Sequence, residues 1–255
     1  DAYHNRCMSL VKVLSEYILS LGQEAYIPNF FCKAYRPVLY IPSKEEVKEL
    51  LQKMDIRTSH NSEQFRLDRE CKILFLLYFC CGLRLSEGRL LKWEHIDLDK
   101  GILTVLGSKG NKDRLVYLPQ DSLPVLKNYK ERQEMLFPGI DWAFPGKDPH
   151  KPVSCSGVES SFNRHWAMLP VARTVDKHPT PHCLRHAFVV ERFNEWMHQG
   201  IDTNTMLPYL SRYLGHKSPD ETYYYYHLVE KAFDTIREKD SVSGKVIPEV
   251  IPYEE

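Results

Sequence analysis

Apolar residues recur every three or four positions along most of the chain, which is the spacing of one face of a helix. Two short stretches, 102–106 and 114–118, are instead typical of strands joined by a polar loop. We therefore expect a mainly α-helical fold with a small antiparallel β-sheet. Helices are predicted over 6–22, 43–54, 62–81, 87–93, 121–137, 157–168, 182–199, 203–213, the tyrosine run opened by Pro219, and 229–239.

The helix predicted from Ser62 is apolar all round at its centre, residues 73–81. A helix of that kind is buried in the middle of a domain. It is expected to end at Gly82, and Ser86 is expected to cap the next helix. A charged Arg84 at this junction is costly to bury unless an anion meets it. The pattern therefore marks Arg84 as a candidate for anion binding beside a positive helix N-terminus.

Composition and charge limit the classes of protein to which the chain can belong, but they do not identify its function. The chain has 255 residues, zero formal net charge and seven cysteines, an odd number typical of reduced thiols in a cytosolic protein. No run of eighteen apolar residues predicts a membrane span, and no signal peptide is visible. Zero net charge argues mildly against nucleic-acid binding, but residues 147–192 hold seven Lys or Arg against four acids.

Histidines at 178, 182 and 186 are spaced four apart, which superficially resembles a metal-binding helix face. Pro179 and Pro181 prevent His178 from lying on the same regular helix as the other two. No Cys-x-x-Cys pair is present to hold zinc. We therefore expect no metal site here, and the histidines need another explanation.

Four motifs in a fixed order are the strongest indication of function in the sequence. Each motif residue taken alone is more often structural than catalytic, so the indication lies in the set and its order. The motifs are Gly82-Leu83-Arg84-Leu85-Ser86-Glu87, Gly107-Ser108-Lys109-Gly110-Asn111-Lys112-Asp113-Arg114, His182-Cys183-Leu184-Arg185-His186-Ala187-Phe188 and Leu214-Gly215-His216. A tyrosine, Tyr225, follows nine residues after the last histidine. In these motifs and their order, residues 41–240 resemble the tyrosine recombinases, the family of phage and transposon integrases.

The resemblance implies a role for each motif residue. Arg84 and Arg185 form a clamp on the non-bridging oxygens of a DNA phosphate, because guanidinium is always charged and binds bidentately. His216 adds a hydrogen bond to the same oxygens. Lys109, on the hairpin loop, protonates the leaving 5′-oxygen, and His182 accepts the proton of the attacking phenol.

Tyr225 is the nucleophile that the resemblance implies, with Tyr226 as the alternative because four tyrosines stand in a row. Its attack gives a 3′-phosphotyrosyl link and a free 5′-hydroxyl. Attack by another strand's 5′-hydroxyl reverses the step, so the resemblance implies neither metal, cofactor nor ATP. Four consecutive tyrosines on a helix point about 100° apart, so at most two of them can face one site.

The resemblance also implies a domain organisation and a set of partners. Residues 1–40 are expected to be the last helix of a truncated N-terminal core-binding domain plus a linker, 41–240 the catalytic domain and 241–255 an extended tail. The expected partners are double-stranded DNA recombination sites and further copies of the chain, as a dimer to tetramer on DNA. Apolar residues and two prolines make 243–255 the segment expected to link protomers.

The expected source is a phage or mobile element, with the enzyme in the cytoplasm and associated with the nucleoid, and no membrane partner. Two other functions remain open. A type IB topoisomerase-like enzyme shares the chemistry but religates the same strand. A catalytically silent homologue binds DNA without cleaving it.

Overall fold

The computed structural model describes residues 2–29, 32, 40–56, 61–108, 112–175, 178–216 and 218–225. The chain divides into two compact units, Asp1–Leu39 and Tyr40–Glu255. Four of the sequence-based expectations lie outside the described residues: those for Lys109, Tyr226, the helix over 229–239 and the tail over 241–255.

The first unit is built on one helix, α1 (Ala2–Ser20). It begins four residues before the predicted start and ends before a turn at Gly22, which has a positive φ of 76°. Asn5 ties the helix to the segment that follows, because its side chain exchanges hydrogen bonds of 2.7 and 2.8 Å with the backbone of Cys32. Several apolar side chains of α1 are exposed, among them Leu10 and Leu14.

The second unit is mainly α-helical with a small sheet, which confirms the predicted fold class. Its helices are α2 (Lys44–Lys53), α3 (Ser62–Cys81), α4 (Leu85–Arg89), α5 (Leu123–Leu136), α6 (Cys155–Trp166), α7 (Cys183–His198), α8 (Thr203–Leu214) and α9 (Asp220–Tyr223). Short 3₁₀ segments cover Trp93–His95, Gln120–Ser122 and Pro170–Arg173. Among the described residues, no helix combines the length and apolarity needed to cross a membrane.

The sheet has three antiparallel strands in the order β1 (Ile96–Asp97), β2 (Ile102–Ser108) and β3 (Lys112–Tyr117). The two predicted strands are β2 and β3, and β1 escaped prediction because two residues are too short for an alternating pattern. Val105 pairs with Arg114 across the hairpin, and an irregularity follows before its tip. The hairpin therefore carries Arg114 back toward the helices.

Helix α3 is the centre of the core, as its all-round apolar sequence predicts. Leu74, Phe75, Leu77 and Tyr78 are buried, and α2, α6 and α7 pack around them. The Tyr78 hydroxyl donates a 2.9 Å hydrogen bond to the Leu85 carbonyl, so α3 also fixes the start of α4. The most buried helix thus positions the segment that holds Arg84.

The predicted cap of α4 is wrong. The helix begins at Leu85 with Arg84 as its N-cap residue, and Ser86 lies inside it. The carboxylate of Glu87 accepts a 2.8 Å hydrogen bond from the Arg84 backbone N–H, so Glu87 takes the capping role. The helix also ends at Arg89, before the predicted limit of residue 93. An acidic side chain in the first turn offers the charge that a helix N-terminus favours, and this outweighs the preference for serine.

Gly88 is buried where α4 crosses α3. A Cβ at this position would lie 2.4 Å from the Tyr78 ring and 2.8 Å from Leu74 Cδ1. The Tyr78 ring cannot retreat easily, since it is buried and its hydroxyl is bonded to Leu85. Close packing of α4 on α3 therefore requires glycine here.

We predict that Gly88→Ala lowers the free energy of unfolding by about 1–3 kcal/mol, the usual cost of overpacking. The better helix propensity of alanine offsets only part of this loss. Denaturant titration of the variant measures the change. Glu131→Ala, at an exposed position of α5, is the control and should alter stability by less than about 0.5 kcal/mol. Equal stability of the two variants would contradict the packing argument.

Candidate active site

Two helices end in glycines whose left-handed conformation turns the chain into the site. Gly82 closes α3 with φ 62°, and Gly215 closes α8 with φ 67°. A Cβ on Gly82 would meet the Phe188 ring at 2.6 Å, so only glycine fits without displacement. Arg84 and His216 follow these two turns closely and are brought to the same place.

Both predicted clamp arginines are bound to the carbonyl groups of these helix ends. Arg185 donates to the carbonyls of Gly82 and, at 2.9 Å, of Leu214. Arg84 donates to the carbonyl of Gly215 at 2.7 Å. Carbonyls in the last turn of a helix lack partners within that helix, so the arginines satisfy them. These contacts fix both guanidinium groups side by side.

Glu87 joins the arginines from the other side, and its side chain is only 5% exposed. Its carboxylate binds Arg84 Nη1 at 2.8 Å and accepts two hydrogen bonds from Arg114, at 2.9 and 2.7 Å. Arg185 Nη1 lies 4.0 Å from the same carboxylate. Arg114 in turn donates its Nε–H to the Tyr213 carbonyl at 2.8 Å. One carboxylate therefore orients three guanidinium groups.

The charge of this cluster favours an anion. Burial alone would raise the pKa of Glu87, but hydrogen bonds from Arg114 and Arg84 outweigh it and hold that pKa well below its usual range. Burial, and next the charge of Arg84, lower the pKa of Arg185 to about 10, so it remains protonated at neutral pH. The described contacts thus place the guanidinium groups of Arg84, Arg114 and Arg185 around the single carboxylate of Glu87. The surplus suits a phosphodiester.

His216 is oriented through both ring nitrogens. Its Nε2 lies 3.1 Å from Arg185 Nη2, and its Nδ1 lies 2.7 Å from the hydroxyl of Thr222, which is fully buried. Because arginine can only donate, Nε2 accepts, and a neutral His216 carries its proton on Nδ1. In this state His216 binds Arg185 as an acceptor.

The start of α7 carries three polar side chains on one face: His182, Arg185 and His186. The rings of the two histidines meet edge to face, with centroids 4.6 Å apart. Surrounding protein atoms partly desolvate His182 although the residue keeps an exposed surface. This effect first, and then the charges of Arg185 and Arg84, lower its pKa. His182 is exposed and His186 is half-buried, so His182 forms the outer part of the site.

Tyr225 is buried, with 5% of its surface exposed, whereas Tyr224 is half-buried and Tyr223 is exposed. It packs in an apolar cluster from α7 and α8, formed with Phe188, Val189, Phe193, Leu207, Leu210 and Leu214. The Tyr225 hydroxyl forms a 2.6 Å hydrogen bond with His186 Nδ1. Burial raises the pKa of Tyr225 to about 12, and the charges of Arg185 and Arg84 oppose the rise. The phenol oxygen therefore lies within the field of the arginine pair.

A cavity of about 260 Å³ lies between Arg84 and the hairpin. Its lining includes Glu87 and, from β2, Gly107. The Gly107 backbone N–H donates a 2.9 Å hydrogen bond to Asp113 Oδ1, which closes the base of the hairpin. The loop of residues 109–111 is outside the described residues. Gly107, before the loop, lines the cavity with Arg84, and Arg114, after it, binds Glu87.

The described part of the chain brings together five of the six predicted site residues, Arg84, His182, Arg185, His216 and Tyr225. Sequence reasoning missed four further contributors, Glu87, Arg114, Thr222 and His186. Glu87, Arg114 and His186 stand inside the quoted motifs, so the motifs themselves were the available signal. Thr222 stands in no motif, and only its position beside His216 identifies it.

The site residues lie inside a segment that matches a known family. Residues 43–232 match the phage integrase family, which is more than half of the chain. A putative integrase/recombinase, y4rB of Sinorhizobium fredii, is 29% identical over 86% of this chain and 71% of that protein. Tyrosine recombinase XerA of Pyrococcus furiosus is 32% identical over 74% of this chain and 57% of that protein. The chain spans 46% to 71% of the length of four such relatives, these two among them.

Solved structures share the fold at low sequence identity. The Tn1549 transposon integrase, in complex with a circular intermediate DNA, superposes with a TM-score of 0.66 at 13% identity over 87% of this chain and 73% of that chain. The XerH site-specific recombinase bound to a palindromic difH substrate superposes with a TM-score of 0.63 at 21% identity. The match covers 86% of this chain and 58% of that chain. The family match and the fold confirm the predicted tyrosine recombinase catalytic domain: the chain belongs to the phage integrase family.

Proposed function

We propose that this chain cleaves and rejoins DNA strands at specific sites, with Tyr225 as nucleophile and Arg84 and Arg185 as the phosphate clamp. One observation carries the proposal. Residues from distant motifs converge: Arg84 and Arg185 bind neighbouring carbonyls at the end of α8, His216 contacts Arg185, and the phenol hydroxyl of Tyr225 meets His186, the residue after Arg185. That arrangement matches what attack on a phosphodiester needs, which is a nucleophile beside groups that stabilise charge on the non-bridging oxygens.

The clamp acts in the transition state. Five-coordinate phosphorus carries more negative charge on its non-bridging oxygens than the ground state does, and the held guanidinium groups need little reorganisation to meet it. His216 supplies a further hydrogen bond to those oxygens. Since its Nε2 accepts from Arg185 in the DNA-free state, His216 must bind a second proton or change tautomer when a phosphate arrives.

Proton transfer completes the reaction. Lys109 protonates the leaving 5′-oxygen, and the cavity that Gly107 of the same hairpin shares with Arg84 supports this role. His182, the histidine that the family motif assigns to the phenol proton, stands exposed at the start of α7, with its ring against that of His186. The covalent 3′-phosphotyrosyl bond conserves the energy of the broken phosphodiester, so exchange with a second 5′-hydroxyl needs no ATP.

The partners of the chain are double-stranded recombination sites and further copies of itself, as a dimer to tetramer on DNA. Structures of a transposon integrase and of XerH bound to DNA substrates support the DNA partner, and that of a lambda integrase dimer bound to a core site supports an oligomer on DNA. The enzyme is of phage or mobile-element origin and acts in the cytoplasm on nucleoid DNA. The segment 243–255 connects neighbouring protomers.

Tyr225→Phe should abolish covalent attachment to DNA and leave DNA binding intact, because only the nucleophilic oxygen is removed. A nicked substrate traps the covalent product, and a denaturing gel measures it. Tyr223→Phe is the matched control, since that side chain is exposed two residues earlier, at the end of α9, and it should keep attachment.

The same assay separates the remaining functions. Attachment that survives in Tyr225→Phe and disappears in Tyr226→Phe would move the nucleophile by one residue. A wild-type chain that binds but never attaches would be a silent DNA-binding protein. Attachment without joining of strands from two sites would point to a topoisomerase-like enzyme.

Lys109→Ala should slow cleavage of ordinary DNA by about 100- to 10,000-fold, the usual contribution of a general acid. DNA with sulfur at the 5′-bridging position should restore most of the rate, because a thiol with a pKa near 8.5 leaves without help from an acid. Arg84→Ala, measured beside it, should stay slow on both substrates. If Lys109→Ala is equally slow on the sulfur substrate, the lysine serves as a phosphate-binding charge.

Removal of residues 243–255 should weaken cooperative binding to a two-site DNA more than binding of one protomer to a half-site. The reason is that a segment linking protomers contributes only where two protomers meet. Gel-shift titrations on half-site and full-site DNA measure the two affinities. Equal loss on both DNAs would show that the tail packs on its own protomer.

A further inference from the structure

The nucleophile has a partner to which the family resemblance assigns no role. The hydroxyl of Tyr225 lies 2.6 Å from Nδ1 of His186, and the two ring centroids are 5.3 Å apart. His186 follows Arg185 directly in the chain, so the partner of the nucleophile belongs to the same turn as one arm of the clamp. A role for His186 in strand cleavage rests on the proposed function, because both concern the same reaction.

Both groups are held in place from several directions. His186 lies one turn after His182, and the edge-to-face contact between their rings limits rotation of the His186 ring. Tyr225 is fixed on its other side by the apolar cluster that includes Phe188 and Leu214. The short contact is therefore a product of packing on both sides.

The protonation states and the tautomer of His186 together set the direction of this hydrogen bond. Burial, and then the neighbouring His182, Arg185 and His216, lower the pKa of His186 to about 3. Burial raises the pKa of Tyr225 to about 12. At neutral pH both side chains are uncharged. In the tautomer that a base requires, the imidazole carries its hydrogen on Nε2, and the phenol donates the hydrogen bond to Nδ1.

We infer that His186 is the catalytic base of strand cleavage. As the Tyr225 oxygen forms its bond to phosphorus, its O–H bond breaks and the proton moves to His186 Nδ1. The P–O5′ bond breaks with its electron pair, and the departing oxygen takes a proton from Lys109, the proposed acid. In the rejoining step the incoming 5′-hydroxyl bonds to phosphorus and gives its proton to the now neutral Lys109. The His186 imidazolium returns its proton to the tyrosine oxygen as the P–O bond to tyrosine breaks.

Geometry favours His186 over His182, the histidine that the motif assigns to this task. A general base must lie within about 2.6–3.2 Å of the atom whose proton it removes. In the part of the chain that the structure describes, the hydrogen bond of the Tyr225 hydroxyl goes to His186, and none joins it to His182. The exposed His182 then serves the DNA phosphate.

The order of events depends on the same pKa values. A phenol with a pKa of about 12 keeps its proton beside an imidazole with a pKa of about 3 until attack begins. The oxygen loses its basicity only as it bonds to phosphorus, and the negative phosphate stabilises the imidazolium. Transfer therefore accompanies bond formation, and the tyrosine stays unreactive while no DNA is bound.

His186→Asn tests the base directly, because asparagine offers an acceptor near the position of Nδ1 but no basic nitrogen. On nicked DNA, single-turnover cleavage should fall by about 100- to 10,000-fold, while half-site affinity stays unchanged. His198→Asn, at an exposed position near the end of α7, is the matched control and should cleave at the wild-type rate. If His186→Asn keeps most of the rate, His186 only positions the hydroxyl and the inference is wrong.

A more acidic nucleophile provides the second measurement. A fluorinated tyrosine at position 225 needs less help to lose its proton, so the rate penalty of His186→Asn should shrink in that background. An unchanged penalty overturns the inference, and so does faster cleavage by His186→Asn, which would show that the bond restrains the tyrosine. Thermal unfolding verifies that the variant is folded, and His186→Gln replaces it if it is not.

The two proposals fail differently. A wild-type chain that forms no covalent product on nicked DNA contradicts the proposed function. An active wild type beside an equally active His186→Asn contradicts only the assignment of the base.

Discussion

The site depends on hydrogen bonds from arginine side chains to carbonyl groups at the ends of two helices. The carbonyl acceptors lie where α3 and α8 end, at Gly82, Tyr213, Leu214 and Gly215. The donors are Arg84, Arg114 and Arg185. Helix C-termini carry partial negative charge and unpaired carbonyls, so each arginine stabilises a helix end and is stabilised by it. The positions of α3 and α8 therefore determine the geometry of the clamp, and the clamp arginines in turn help to hold the two helix ends in place.

Glu87 completes this arrangement at an energetic cost. A buried carboxylate surrounded by guanidinium groups loses hydration that its ion pairs only partly replace, so such clusters are weak evidence for stability. Its value here is orientation. Both carboxylate oxygens are engaged by Arg114, and Arg84 shares one of them, so each guanidinium has a fixed plane before DNA arrives. Preorganised positive charge stabilises the transition state of phosphoryl transfer, because the groups need not reorient as negative charge develops.

The sequence predicted features that depend on local periodicity and missed those that depend on contacts across the fold. The long helices, the hairpin strands and the buried centre of α3 all follow from patterns within one segment. The two-residue β1 is too short to show an alternating pattern. The capping of α4 by Glu87 depends on one hydrogen bond, which the spacing of apolar residues does not indicate. The motif identified His182 and His186 as neighbours, but which imidazole meets Tyr225 is decided by the packing of α7 against the chain after α8.

The carbonyl contacts of the arginines have a consequence for the evolution of this fold. A descendant that lost strand exchange but kept DNA binding would still need Arg84 and Arg185 to complete the ends of α3 and α8. Selection for folding alone would preserve them. The Tyr225 hydroxyl contributes a hydrogen bond to His186 at the edge of an apolar cluster, so its loss would cost such a protein little stability. In inactive relatives, decay is thus expected to begin at the tyrosine, while the arginine pair persists as part of the scaffold.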